Sequence, residues 1–137
     1  MIEGHCLCGA VRVRIGDHDP RVGACHCRMC QRWSGGLFLC FSAKAGEVAV
    51  EGPVVRHQSS PFAERAFCGT CGSHLWMRDT KAADADYDLM PGLFDEAREA
   101  IEPPNQKVIR DFAAPVMPRG SYAVIYGNVA PDGAVIK

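Results

Sequence analysis

Seven of the eight cysteines fall into three tight groups: Cys6-Leu7-Cys8-Gly9, Cys25-His26-Cys27-Arg28-Met29-Cys30 and Cys68-Gly69-Thr70-Cys71-Gly72. Zinc takes four ligands on a tetrahedron, with sulfur at about 2.3 Å, and two thiolates from one tight turn can fill two of its corners. The glycines after Cys8 and Cys71 suit such turns, because a backbone that bends its amides toward sulfur often needs positive φ. Cys6, Cys8, Cys68 and Cys71 are therefore expected to form a closed structural site that staples an N-terminal hairpin to a distant strand turn. An ion in that role supplies folding free energy, on the order of 10 kcal/mol by analogy with zinc-finger peptides.

Cys25, Cys27 and Cys30 place three thiolates within six residues. Three protein ligands leave one coordination position open, the pattern of catalytic zinc. Three thiolates on a divalent ion leave a net charge of −1, so the ion is a weak Lewis acid and its water is hard to ionise. A thiol has a lower pKa than water and zinc binds sulfur well, so the cluster points to thiol chemistry more than to hydrolysis. Two other readings stay open on spacing alone. Cys68 and Cys71 could be a redox pair, although no βαβ pattern surrounds them. The chain could also hold one ion only, the second cluster remaining a group of thiols, or close both sites as a non-catalytic binding module with Cys40 or a histidine as fourth ligand. Cys40 lies in an apolar run and reads as core. His26, between two ligands, is expected to point away from them; His5 and His74 flank the four-cysteine elements as packing or surface residues, and Trp33 and Phe38 read as packing.

These residues must be held by short strands. Ala10 to Ile15 alternates apolar and charged residues, the period of a strand with one buried face. The apolar run Leu37 to Ser42 fits a strand covered on both sides. Further strands are expected at Glu47 to Val50, Val54 to Gln58, Glu64 to Phe67, Ser73 to Met77, Asp86 to Leu89 and Ser121 to Tyr126. Arg28 to Trp33 fits one or two helical turns, and Phe94 to Ile101 has helical composition stopped by Pro103-Pro104. The expectation is one mostly β domain over residues 1–137, with small antiparallel sheets and one or two short helices.

The balance of 15 Lys and Arg against 16 Asp and Glu gives a net charge of −1, which collects no phosphate backbone, so nucleic acid is not an expected partner. No stretch of about 18 apolar residues suggests a membrane span, and Met1 to Cys6 has neither the basic nor the apolar part of a secretory signal. A cytoplasmic address follows as an expectation, and a reducing compartment favours metal over disulfides for these cysteines. A monomer or a homodimer fits equally.

Taken in order, Cys6-Leu7-Cys8-Gly9-Ala10-Val11, Cys25-His26-Cys27-Arg28-Met29-Cys30-Gln31-Arg32-Trp33-Ser34-Gly35 and Phe67-Cys68-Gly69-Thr70-Cys71-Gly72-Ser73 resemble the glutathione-dependent formaldehyde-activating enzyme family, which also includes centromere protein V. The resemblance spans roughly residues 4 to 77. It implies a zinc-stapled β-tent fold and two zinc ions per chain, one on Cys6, Cys8, Cys68 and Cys71 and a second on Cys25, Cys27 and Cys30 as the catalytic centre. It also implies a carbon–sulfur lyase activity in which glutathione, as co-substrate, combines with formaldehyde or another small aldehyde.

Overall fold

The computed structural model describes residues 1–25, 27–36 and 38–94. The expected strand over 121–126 and all but the first residue of the expected helix over 94–101 lie outside them. Among the described residues the chain forms nine strands and one α-helix: β1 (Ile2–His5), β2 (Arg12–Ile15), β3 (Gly23–Cys25), α1 (Arg28–Ser34), β4 (Phe38–Ala43), β5 (Val48–Glu51), β6 (Val54–Ser60), β7 (Ala63–Cys68), β8 (His74–Asp79) and β9 (Tyr87–Leu89). Single 3-10 turns at Ala45–Glu47 and Pro91–Leu93 complete the order.

The strands assemble into two antiparallel sheets, one of three strands in the order β1-β2-β5 and one of six in the order β3-β4-β9-β8-β7-β6. The alternation read at Arg12 to Ile15 sends Val13 and Ile15 into the core and leaves Arg12 and Arg14 exposed. Across the larger sheet, Phe41 pairs with Leu89, Leu89 with Trp76 and Trp76 with Ala66. Residues directly opposite share a face, so this row is the buried one. It packs with Val11, Val13, Ile15, Leu75 and Phe94 into one apolar cluster. Each such fully buried large side chain stabilises the fold by about 1.5–3 kcal/mol.

The neighbouring row, displaced by one residue, runs through Ser42, Asp88, Met77, Arg65 and His57 on the opposite face. Arg65 is only 3% exposed there, which marks this second face as covered as well. Two strands, Ile2–His5 and Gly23–Cys25, were not among those expected, because Ile-Glu-Gly-His and Gly-Ala-Cys lack a clear alternation of apolar and charged residues. The run at 37–42 was expected to be buried on both sides. In the structure Phe38, Phe41 and Ala43 are buried while Leu39, Cys40 and Ser42 are half-covered, so each face is roofed only in part.

Candidate metal centres

The two sheets are tied where their turns meet. Cys6 directly follows β1 and Cys68 ends β7, and each begins a turn built in the same way. The Gly9 amide donates to the Cys6 carbonyl at 2.9 Å and the Gly72 amide to the Cys68 carbonyl at 2.8 Å. The Cys6 amide donates to Val11 O and the Cys68 amide to Ser73 O, closing both loops. Gly9 and Gly72 have φ of 78° and 77°, the left-handed conformation that the cysteine spacing predicted.

This geometry gathers Cys6, Cys8, Cys68 and Cys71, whose sulfurs all lie within 4.8 Å of one another. Cys6 Sγ is 3.5 Å from Cys8 Sγ, which is 3.9 Å from Cys68 Sγ. A tetrahedron with arms of 2.3 Å has edges of about 3.8 Å, so the sulfurs already stand at the spacing a metal requires. They are far beyond the ~2.05 Å of a disulfide, and all eight cysteines are free. Backbone amides face the sulfurs, Val11 N at 3.2 Å from Cys6 Sγ and Thr70 N at 3.4 Å from Cys68 Sγ. Ser73 Oγ accepts from the Leu7 amide and lies 3.1 Å from Cys71 Sγ, bridging the two turns.

Protons are shared unequally among these thiols. The Ser73 hydroxyl and amide hold Cys71 down to about 5. Against the Ala10 amide, desolvation and the neighbouring sulfurs push Cys8 up to about 12. Burial opposes ionisation of Cys6, but the Val11 amide and the Cys8 and Cys68 thiols outweigh it and lower its pKa. Crowded thiols that cannot all ionise together are what a divalent cation relieves.

The second group, Cys25, Cys27 and Cys30, is brought together by the end of β3 and the start of α1. Cys27 is the N-cap: its sulfur accepts from the Cys30 amide at 3.4 Å, and Gly35 at φ 81° ends the helix by donating to Gln31 O. That amide contact lowers the Cys27 pKa, whereas burial pushes Cys30 up to about 12 against the opposing Arg65 guanidinium. Among the described residues, no further His, Cys, Asp or Glu joins this trio. Cys40, on β4, stays outside it, half-buried, with burial raising its pKa to about 12.

Arg65 is the residue that sequence reasoning missed. Both of its terminal nitrogens lie 3.6 Å from Cys30 Sγ, and its guanidinium sits over the Trp33 ring at 4.9 Å. Trp33 stacks on His74, ring centroids 4.2 Å apart and 11° from parallel, and leans on Phe38 at 5.6 Å. Burial, with the Arg65 charge adding to it, lowers the His74 pKa, so the stacked imidazole favours its neutral form. Trp33 and Phe38 do pack, as expected, but on a wall beside the trio, and His74 belongs to that wall. A cavity of about 520 Å³ lies on the side of the four-cysteine turns, lined by His5, Cys6, Leu7, Gly72, Ser73 and His74, and neither the trio nor Trp33 is part of its lining.

The family model for the glutathione-dependent formaldehyde-activating enzyme matches residues 1–111. The chain belongs to this family. Among similar proteins, an uncharacterized lyase of Schizosaccharomyces pombe is 37% identical over 79 residues, 57% of this chain and 58% of that one. A Halomonas elongata protein, provisionally named a glutathione-dependent formaldehyde-activating enzyme, is 34% identical over 94 residues, again 58% of its length and 59% of this chain. The chain thus spans little more than half the length of these two relatives. A shorter likeness links it to the dihydroxy-acid dehydratase of a Roseiflexus species, 47% identical over 45 residues, which is 33% of this chain and 8% of that enzyme. The fold is that of a Rhodobacter sphaeroides protein of known crystal structure, with a TM-score of 0.59 at 20% identity over 74% of this chain and 96% of the other. The mostly β architecture of small antiparallel sheets and the family resemblance read from the cysteine motifs are both borne out.

Proposed function

We propose that this protein is a zinc-dependent carbon–sulfur lyase acting on the adduct of a small thiol, glutathione, with formaldehyde or another small aldehyde. The observation that carries the reading is the trio Cys25, Cys27 and Cys30, preassembled beside an aromatic wall and separate from the four-cysteine group. Family membership and the lyase named among the relatives support the reaction class. In the forward direction the thiol gives up its proton, the sulfur electron pair forms a bond to the carbonyl carbon, and the carbonyl oxygen takes up a proton. The lyase direction reverses each step, so atoms balance without any redox partner.

Zinc on the trio would supply a centre that favours the thiolate form of the co-substrate. The chain's own residues do the rest: Cys25, Cys27 and Cys30 hold the ion, and Trp33 with His74 walls one side. Cys6, Cys8, Cys68 and Cys71 serve as the structural zinc site, far enough along the chain to join both sheets. Work as one domain over residues 1–137 in the cytoplasm, without nucleic-acid partners, goes with this proposal. No helix among the described residues is long and apolar enough to cross a membrane.

Exchange NMR between free glutathione and its formaldehyde adduct tests the activity. The zinc-loaded protein is expected to accelerate the exchange, and Cys27→Ser, at an exposed position, to lose most of the acceleration while keeping the four-cysteine ion. Two bound ions with exchange no faster than in buffer would instead establish a non-catalytic, zinc-stabilised binding module.

A further inference from the structure

The charge arithmetic of the trio is incomplete without Arg65. Guanidinium stays protonated in any protein environment, and burying it is costly unless a negative partner compensates. Arg65 is 3% exposed, yet among the described residues no carboxylate lies within ion-pair distance of it. Glu64, its neighbour on β7, points to the other face and approaches Arg56 at 3.9 Å. Asp88 shares the face of Arg65 but stands two strands away, bonded by Ser42 Oγ at 2.7 Å. The stack on Trp33 is a small return against desolvating a cation. What remains is Cys30 Sγ, at 3.6 Å from both terminal nitrogens.

We propose that Arg65 is the counter-ion and positioning residue of the three-cysteine centre, its fixed positive charge matching the single negative charge that three thiolates carry when they hold a divalent ion. The match makes the centre and its arginine neutral together, which is the condition for burying Arg65 and Cys30 side by side. Trp33 fixes the plane of the guanidinium, so that the fork is aimed at Cys30 rather than at solvent. Donation to Cys30 Sγ also withdraws electron density from that thiolate and leaves the ion more electrophilic than an unsupported trio would.

The inference rests on the reading of Cys25, Cys27 and Cys30 as a metal centre, and it makes no use of the substrate. Its test compares wild type, Arg65→Gln and Arg65→Lys as full-length proteins loaded with zinc or cobalt. Each is titrated with a chelator while the ions retained per chain are counted, the four-cysteine ion serving as the control for folding. Arg65→Gln keeps donors but loses the charge, and is expected to hold the second ion about tenfold or more weakly, the scale of a hydrogen bond to a charged group. Its cobalt–thiolate bands are expected to move to longer wavelength. Arg65→Lys keeps the charge and is expected to hold the second ion more tightly than Arg65→Gln. Wild type binding a single ion would remove the metal-centre reading itself. Wild type with two ions and an unchanged Arg65→Gln, or the two variants equally weakened, would overturn the counter-ion role alone. If Arg65→Gln also sheds the control ion, the lysine variant decides: selective loss of its second ion refutes the proposal, and retention supports it.

Discussion

Replacing Gly52 by alanine probes how the scaffold holds the four-cysteine site. Gly52 lies between β5 and β6 at φ 113°, and a Cβ there would overlap Ala10 O and stand 2.9 Å from Val11 Cα. Those two residues are the backbone that positions Cys6: the Cys6 amide donates to Val11 O at 3.0 Å, and the Val11 amide reaches Cys6 Sγ at 3.2 Å. A left-handed backbone costs an L-residue about 1–2 kcal/mol, and forcing atoms into a packed contact adds about 1–3 kcal/mol. The sum, roughly 2–5 kcal/mol, corresponds to a fall in melting temperature of about 8–20 °C for a chain of this size. Gly35→Ala is the control, because its φ is 81° but its Cβ would meet nothing within 4 Å. It should show the conformational cost only, about 4–8 °C. Thermal denaturation of the zinc-loaded proteins, followed by circular dichroism, measures both. Gly52→Ala should also release the four-cysteine ion to a chelator sooner than wild type. A Gly52→Ala protein that melts no lower than Gly35→Ala would refute the claim that this close approach supports Cys6.

Two further outcomes are expected. His74 has its pKa lowered by burial and by Arg65, so below about pH 6.5 the unfolded chain takes up a proton that the folded chain refuses, and stability falls as the pH drops. His74→Phe keeps a ring against Trp33 without the titration, and its urea midpoint between about pH 7.5 and pH 6 should fall less than that of wild type; equal falls would count against the assignment. Cys68→Ser removes a buried sulfur of the four-cysteine group, and if that group is the structural zinc site proposed above, the loss should rival the whole net stability of a domain, about 5–15 kcal/mol. A cooperative melt surviving in Cys68→Ser with only one ion bound would show that the four-cysteine site is not structural.

The chemistry of the cysteines was legible in the chain because it is local. Two thiols flanking one or two residues, followed by a glycine, describe a metal-binding turn before any sheet is known. The same holds for the strand at Arg12–Ile15, where alternation alone names the buried face. Phe38–Ala43 was found but its covering was misjudged, since an apolar run does not say how much of each face a neighbour will roof. The strands Ile2–His5 and Gly23–Cys25 show no clear alternation of apolar and charged residues and exist because partners pair with them. Helix α1 begins on a cysteine, a residue outside the usual N-capping set.

The sequence by itself determined which residues can hold metal, in what groups, and the family to which the chain belongs. Only the tertiary structure decided what surrounds the second group. Arg65 is 35 residues from Cys30 and enters the site because the pairing of β7 with β6 and β8 puts its side chain on the face opposite the core. His74 reaches Trp33 in the same way, from β8 to α1. A charge or a ring carries no mark of its partner in a one-dimensional pattern, because strand register, which selects the face and the neighbour, is settled by contacts between segments far apart in the chain.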